Sequence, residues 1–460
     1  MQKSASSPAR IIGLIGGIAV SIILATSRID GLSTKGVLFL AFTMLALIFW
    51  IFNVMDSGLV GALYLILLAV FQVDTAENIF AVWAGTVMWL IIGAFLIAQA
   101  VISSRLCDRI SCWFLCNFVR GYRSLIITIF VLSAVMSLFI PNPWPRSLII
   151  VTLVKKMTEG MKREAASFAG LAVFVASIPT CFLFLTSAAS MNQLVLGFAG
   201  AELSWLAWFR IMFFPGLGMT LLFLLVVLLF SPESGSASIS KAEFEEKLKQ
   251  LGPLTSSERR IIIWLSLAIV LWMTDSWHKI NVAWVSLGIA AIMRLPLVGC
   301  SFEKQDWHSI PTGSLLYITA AAAIGKVGTN CGITAWLTGF FPPIATSNLY
   351  ILALLLSITC MTLHLFLGST ISANSVLIPA MLAYTQGSAF SSVPCALICY
   401  VAIFGQFLFP YQHMNIYLGL GDVGLYSNRD VLRVVLPLTV AVLITIECIM
   451  LPWWKLIGFV

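Results

Sequence analysis

Charged residues are scarce in this chain of 460 residues, because Lys, Arg, Asp and Glu together make up only 10% of it. Soluble proteins carry about 25%. Histidine occurs four times, and the ten cysteines include no CxxC pair. The few histidines and the cysteine spacing argue against a metal or disulfide framework, and they favour cysteines that are small buried apolar side chains. The sequence also lacks an HExxH pair, paired intramembrane aspartates and any nucleophile–base spacing, which weighs against an enzyme.

Apolar sequence takes the place of the missing charge. Hydrophobic residues make up 60% of the chain, and the mean hydropathy is +1.01. A membrane-spanning helix needs about 20 apolar residues. We therefore predict an all-α polytopic membrane protein with about 11 transmembrane helices and two re-entrant helical hairpins. The apolar runs lie near residues 11–26, 36–55, 57–73, 80–101, 166–199, 206–230, 260–276, 281–299, 311–329, 395–420 and 432–452.

The basic residues predict the orientation of these helices. With a cytoplasmic N-terminus, 19 of the 26 Lys and Arg residues fall on the cytoplasmic side, which is a strong positive-inside bias. The C-terminus is then outside, and the expected location is a bacterial inner membrane. Many spans follow the first apolar run, so we interpret that run as a retained helix rather than a signal peptide. The net charge of +7 reflects these loop charges.

Two helix-length apolar stretches are interrupted at their centres by polar residues. The first interruption reads FIPNPWPR at 139–146, and the second reads LFLGSTISAN at 365–374. Basic residues flank the first stretch on both sides, which predicts a hairpin at 124–154 that enters from the cytoplasm. The second hairpin, at 349–386, then enters from outside. Opposed hairpins in matching positions indicate two inverted repeats, as found in secondary transporters.

The two interruptions divide the chain into corresponding halves, set 228 positions apart. The predicted organisation is an N-terminal segment with the first helix at 1–35, a first repeat at 36–230, a cytoplasmic linker at 231–258 and a second repeat at 259–460. The linker contains KAEFEEKLKQL, which is typical of a short amphipathic helix.

Polar or helix-breaking residues punctuate four apolar segments, at 142–146, 186–192, 369–374 and 410–415. Broken helices leave unpaired N–H groups that attract an anion's oxygens, and carbonyls that can coordinate a cation. Alternatively, the serine and threonine hydroxyls merely satisfy the free backbone groups of kinked helices or mediate helix packing. The candidate substrate-binding residues are Asn142, Arg146, Thr186, Ser187, Asn192, Ser369, Thr370, Ser372, Asn374, His413 and Asn415.

Two of these candidates carry charge or can acquire it. Arg146 could face the anion, stand in for a coupling cation, or pack against the hairpin's own carbonyls. His413 could carry a proton, fix a carboxylate, or be a satisfied core histidine. Ionisable groups at membrane depth are costly, and they therefore count as functional candidates.

At these segments the chain resembles the divalent anion/sodium symporter family, most closely its citrate/tartrate and oxoglutarate–malate translocator branch. The resemblance is clearest in IIGAFLIAQAVISSRLCDRI (91–110), FLTSAASMNQL (184–194), LHLFLGSTISANSVLIPAMLA (363–383) and FPYQHMNIYLG (409–419). It implies a homodimer with an elevator-like mechanism. It also implies Na+ as a coupling ion near Asn142, Thr186, Ser369 and Thr370.

The chain departs from the family's usual Ser-Asn-Thr motif at both hairpin tips. The first tip reads Asn142-Pro143-Trp144, and its prolines and tryptophan remove donors and add bulk. The second tip reads Ser369-Thr370-Ile371 and keeps two hydroxyls. The first change puts sodium coupling at that tip in doubt.

We therefore predict a secondary active transporter of small divalent anions, chiefly di- and tricarboxylates. Coupling to sodium, to a proton or to a counter-anion stays open. The alternatives are a carrier of sulfate or another inorganic or organosulfonate anion, an anion channel, and a family member that has lost coupling. The expected partners are the small anion, the lipid bilayer and a second copy of the chain, and no nucleic acid.

Overall fold

α-Helices form the architecture throughout the described part of the computed structural model, which contains no β-strand. The structure describes residues 8–52, 54–232, 242–296, 298–299, 310, 312–333, 336, 348–367, 370–385, 390–409, 412–420 and 425–460. The predicted all-α class is confirmed.

The first half of the chain supplies the helices up to the linker. In chain order they are α1 (Pro8–Thr26), α2 (Thr34–Ile51), α3 (Ser57–Val70), α4 (Val87–Ser103), α5 (Leu106–Phe118), α6 (Tyr122–Ser137), α7 (Pro143–Met157), α8 (Arg163–Ser177), α9 (Ala189–Phe198), α10 (Trp205–Leu229) and α11 (Ala242–Gln250). Single helical turns lie at Ala76–Ile79 and Ala81–Ala84, and a 3₁₀ turn lies at Pro179–Phe182.

The second half continues the series. Its helices are α12 (Ser256–Met273), α13 (Val282–Ile292), α14 (Thr312–Asn330), α15 (Leu349–Leu367), α16 (Thr370–Tyr384), α17 (Ser392–Gly405), α18 (Met414–Leu420), α19 (Asn428–Ile444) and α20 (Leu451–Leu456). A π-helical stretch, Thr445–Met450, joins α19 to α20, and a single turn lies at Asp275–His278.

Several helices have the length and composition of membrane spans. Within the described residues, five pass that test at full length, and the pair α4 and α5, bent by 64°, would make a sixth. Six further apolar helices are 10–17 residues long. The chain is therefore a multi-pass membrane protein, while the count of eleven spans and the inverted repeat stay predictions.

The chain divides into two compact units that each draw on both sequence halves. Unit 1 comprises Met1–Met88, Gln193–Glu202 and Pro311–Ile403. Unit 2 comprises Trp89–Asn192, Leu203–Ile310 and Phe404–Val460. The two hairpins belong to different units, since 122–157 lies in unit 2 and 349–384 in unit 1.

The first hairpin consists of α6 and α7, which pack on each other and on α8. Its tip is the non-helical stretch 138–142. The helix restarts sharply because the Asn142 carboxamide oxygen accepts a hydrogen bond from the Trp144 N–H, at 3.0 Å. Pro143 follows at the first helical position, where its missing N–H costs nothing and its fixed φ suits the helix. The sequence-predicted tip coincides with this restart.

The end of the linker is fixed to unit 2. Arg109 in α5 donates to the backbone carbonyls of Gly252 (2.7 Å) and Leu251 (3.0 Å) and pairs with Glu258 at 3.3 Å. Lys247 of α11 lies 3.5 Å from Asp108. Residues 233–241 of the predicted linker lie outside the described residues.

Candidate functional site

The predicted site residues divide between the two units. Unit 2 contains Asn142, Arg146, Thr186, Ser187, Asn192, His413 and Asn415. Unit 1 contains the second hairpin tip with Thr370 and Asn374. Ser369 and the side chain of Ser372 lie outside the described residues.

Two helix N-termini meet at the first hairpin tip. Helix α7 begins at Pro143, and helix α9 begins at Ala189 after the broken segment that follows α8. The Ala189 N–H donates to the Pro141 carbonyl, at 3.3 Å, and so joins the two breaks. Pro143 and Pro145 have no N–H and the Trp144 N–H is already bonded, so any attraction for an anion here comes from the partial positive charge of the two helix ends.

The Arg146 guanidinium lies inside this junction and is fully buried. One terminal nitrogen, Nη1, donates to the carbonyls of Ile140 (3.3 Å) and Ser187 (3.4 Å). The other, Nη2, donates to the Ser177 carbonyl (3.0 Å) and the Thr180 hydroxyl (3.1 Å). Arg146 therefore ties the hairpin tip to both sides of the broken helix.

The charge of Arg146 is balanced by dipoles rather than by an acid. Within the described residues no carboxylate lies at ion-pair distance from it, and its Nε has no hydrogen-bond partner. A buried charge is costly unless it is paired and hydrogen-bonded. The junction thus keeps a net positive charge that suits a small anion nearby.

Asn192 closes the break between α8 and α9. Its carboxamide nitrogen donates to the carbonyls of Cys181, Phe184 and Leu185, each at 3.1 Å. Ser187 acts in the same loop, because its hydroxyl accepts from the Phe184 N–H (3.1 Å) and donates to the Ser137 hydroxyl on the hairpin (3.3 Å). These two side chains therefore satisfy the carbonyls of Cys181, Phe184 and Leu185 and the Phe184 N–H.

The polar segment 410–415 contacts the junction around Arg146 through Asn415. Its carboxamide nitrogen, in α18, donates to the Ser177 hydroxyl at 3.0 Å. Ser177 ends α8 and also offers its carbonyl to Arg146. Asn415 and Arg146 are thus neighbours of a single residue, which lies 238 positions away from Asn415 in the sequence.

His413 is almost completely buried and packs its ring edge-on against Phe404 (centroids 5.0 Å apart) and Phe407 (6.3 Å). Beside it, the Gln412 carboxamide oxygen accepts the N–H groups of Leu408 (2.8 Å) and Phe409 (2.7 Å). The Gln412 carboxamide nitrogen, fully buried, has no partner among the described residues. This donor at a helix break suits an anion's oxygen.

The oxygens at the first tip show how well a sodium ion would fit there. A hard cation takes several oxygen ligands, but the Ile140, Ser177 and Ser187 carbonyls already accept from Arg146. The Asn142 oxygen caps α7, and the Thr186 hydroxyl lies 3.5 Å from the Trp205 indole nitrogen. Most of the oxygens near the first tip are therefore already engaged within the protein.

The second tip offers a different oxygen. Asn374 donates from its nitrogen to the Thr370 carbonyl at 2.7 Å, and both residues are buried. The Asn374 carboxamide oxygen has no partner among the described residues. A buried acceptor without a donor is the kind of atom that a cation can satisfy.

Unit 1 also encloses a cavity of about 720 Å³ beside this hairpin. Polar side chains contribute to its walls, among them those of Lys326 in α14, Gln193 and Thr385. Its volume suits a small organic ligand.

Sequence reasoning missed the residues that hold Arg146 from the far side. Ser177, Thr180 and Cys181 surround its Nη2. They precede the predicted polar piece 186–192, in an apolar run where a lone serine is unremarkable. The one sequence signal nearby is Pro179, which marks the end of α8.

Membrane helices that break at a hairpin tip around a polar junction are typical of polytopic secondary transporters. The chain belongs to the sodium:sulfate symporter family, because the sequence model of that family's transmembrane region matches residues 9–460. This confirms the resemblance predicted from the sequence, and with it a transporter rather than an enzyme.

Known proteins agree with this assignment. The chain is 24% identical to the putative malate transporter YflS of Bacillus subtilis, over 72% of each chain. It is 25% identical to the citrate/succinate antiporter of Escherichia coli K12, over 70% of this chain and 68% of that protein. The crystal structure of the Alcanivorax borkumensis YdaH transporter shares the fold, with a TM-score of 0.55 at 14% identity over 92% of this chain and 99% of that one.

Proposed function

We propose that this protein exchanges small dicarboxylate or tricarboxylate anions across the membrane, without sodium at its first hairpin tip. The observation that carries the proposal is the buried Arg146 guanidinium, which takes the carbonyl oxygens of both helix breaks. Unlike a coupling ion, a fixed cation is not released with the substrate. The site therefore stays positively charged after the anion leaves, which favours a second anion as the returning cargo.

The substrate class rests on the site's chemistry and on the relatives. Neutral donors, two helix N-termini and one buried cation suit an anion with two separated carboxylates. The names of two related proteins are those of a malate transporter and a citrate/succinate antiporter. Sulfate is the alternative substrate, since the family is named for it.

A second form of coupling is favoured by one atom. The buried Asn374 oxygen lacks a donor among the described residues, so a sodium ion at the second tip would satisfy it. In that case a sodium ion bound at the second tip, near Thr370 and Ser369, would drive uptake, and no sodium ion would bind at the first tip. His413 offers a third route if its ring carries a proton.

Uptake by purified protein in liposomes tests the proposal. We expect radiolabelled succinate or citrate to enter only when the liposomes contain an unlabelled dicarboxylate. We also expect that replacing sodium with potassium leaves the rate unchanged. If a sodium gradient drives uptake into liposomes that contain no dicarboxylate, the protein is a sodium-coupled symporter, as in the second form of coupling, and not an exchanger. Sulfate uptake faster than the uptake of succinate and of citrate would overturn the proposed substrate class.

An Asn415→Ala variant links this transport to the described junction. We expect slower uptake from it, because the variant loses the hydrogen bond to Ser177. Asn117→Ala is the matched control, since Asn117 is exposed and bonds only within its own helix, to the Trp113 carbonyl. Equal loss in both variants would contradict a site at the junction.

The membrane arrangement follows the sequence-based prediction. We propose opposed hairpins within two repeats, a cytoplasmic N-terminus in a bacterial inner membrane, and a homodimer whose substrate-binding part moves like an elevator. The positive-inside bias supports the orientation and the hairpin directions, and the homodimer and the elevator-like movement rest on the resemblance to the family alone.

Cysteine labelling at Lys155 checks the direction of the first hairpin. Lys155 lies exposed at the end of α7, and we expect a Lys155→Cys variant on a background without exposed cysteine to react only with a reagent on the cytoplasmic side. Cys448 is exposed and must be replaced in that background. Labelling from outside in intact cells would reverse the predicted hairpin.

A further inference from the structure

A second charged site lies in unit 2, apart from the junction around Arg146. It is a cavity of about 910 Å³ bounded by the end of α7, the beginning of α8 and the beginning of α19. This volume lies within the range of small-ligand sites. Four basic side chains line it, namely Lys155, Arg163, Arg429 and Arg433.

These four side chains are exposed to the cavity and not engaged elsewhere. Within the described residues none of them forms an ion pair or a side-chain hydrogen bond. Three acidic residues, Glu159, Glu164 and Asp430, also line the cavity. Asp430 is committed to the fold, because its Oδ2 accepts from the hydroxyls of Ser167 (2.6 Å) and Ser427 (2.8 Å). With four basic and three acidic side chains, the cavity has a small surplus of positive charge.

An exposed apolar stripe begins at the wall of this cavity. Leu432 lines the cavity and is 60% exposed. Leu436, Val440 and Ile444 follow it at intervals of four residues and are 64%, 54% and 40% exposed. Residues four apart share one face of a helix, so α19 carries a continuous apolar track that starts beside Arg429 and Arg433.

We propose that this cavity binds the phosphate-containing headgroup of an anionic phospholipid, whose acyl chain follows the apolar stripe of α19. Arginine matches phosphate oxygens with two parallel donors. Basic pockets between membrane helices on the cytoplasmic side are typical sites for anionic headgroups. The positive-inside bias assigns the end of α7 and the start of α19 to that side. A free phosphate would use the basic residues alone, whereas a phospholipid would also cover Leu432 at the cavity wall.

Such a lipid would connect the first hairpin with α19. Lys155 ends the second arm of the first hairpin, whereas Arg429 and Arg433 begin α19. The lipid would therefore fasten the base of the hairpin whose tip holds Arg146. It would act without touching the transported anion.

Native mass spectrometry of the purified full chain tests the proposal. Detergent-solubilised protein is titrated with phosphatidylglycerol, with phosphatidylcholine, and with glycerol 3-phosphate as a competitor without acyl chains. We expect the wild-type chain to retain phosphatidylglycerol and to discriminate against phosphatidylcholine. In the double variant Arg429→Gln, Arg433→Gln we expect affinity for phosphatidylglycerol about tenfold to thirtyfold weaker. Arg120→Gln, Arg123→Gln is the matched control, since both residues are exposed on the same predicted side and lie outside the cavity.

Further variants distinguish a phospholipid headgroup from a soluble phosphate. Leu432→Ser should weaken phosphatidylglycerol binding without affecting glycerol 3-phosphate. Should Arg429→Gln, Arg433→Gln not fold, Lys155→Gln, Arg163→Gln removes the other half of the charge. The proposal is overturned if phosphatidylglycerol binds a folded cavity variant and wild type equally, or if phosphatidylcholine binds as well as phosphatidylglycerol. Displacement of the lipid by equimolar glycerol 3-phosphate would also overturn it, in favour of a soluble phosphate.

Discussion

Replacement of Arg146 by Ala should abolish sodium-independent exchange and destabilise unit 2 by about 3 kcal/mol or more. The guanidinium is fully buried and donates to three carbonyls and a hydroxyl across the tip and the helix break. Its removal leaves buried acceptors without donors, and each of these costs about 1–3 kcal/mol. Thermal unfolding in detergent and exchange in liposomes measure the two effects.

Sodium distinguishes a stand-in for a cation from a purely structural arginine. Once the side chain is shortened, the carbonyls of Ile140, Ser177 and Ser187 become available to a hard cation. We therefore expect sodium, but not potassium, to raise the unfolding temperature of Arg146→Ala and to restore part of its uptake. Arg123→Ala is the control, because Arg123 is exposed at the start of α6. Full exchange by Arg146→Ala without sodium would contradict the role assigned to the guanidinium.

Helix breaks were the most predictable part of the fold, because a membrane tolerates proline and clustered polar residues within apolar sequence only where the helix is interrupted inside protein or beside water. The helix restarts at the predicted polar residues between α6 and α7, whereas the interruption before α9 spans 178–188 and so begins earlier than the predicted piece 186–192. The boundaries were less predictable. The predicted apolar run 80–101 begins with the single turn Ala81–Ala84, and α4 starts only at Val87. Hydropathy alone cannot reveal such a change in backbone direction.

The candidate site was predictable as a set of segments but not as a set of contacts. Arg146 was singled out because charge is costly at membrane depth, and packing against carbonyls was one of its three predicted roles. The sequence could not show that the carbonyls come from residues 31 and 41 positions away. Ser177 was missed because its importance comes from the Arg146 and Asn415 contacts, which only the tertiary fold creates.

Asn192 should be the other residue whose loss affects both folding and transport. Three backbone carbonyls, of Cys181, Phe184 and Leu185, share its carboxamide nitrogen within a loop between α8 and α9. Asn192→Ala should therefore destabilise unit 2 by about 2 kcal/mol. Asn192→Asp should be worse, because a carboxylate faces three carbonyl dipoles and donates nothing. Thermal unfolding of the two variants gives the order.

The consequence for transport follows from what the loop supports. It carries Ser187, whose carbonyl accepts from Arg146, and it ends at Ala189, where α9 begins at the hairpin tip. When Asn192 is removed, the loop loses the bonds that fix those positions, so exchange should fall further than the folded fraction does. Asn117→Ala, which deletes one exposed intrahelical bond, should leave both unchanged. If Asn192→Ala transported in proportion to its folded fraction, the loop would be structural only, and the anion's donors would have to be sought at Gln412 and at the second tip.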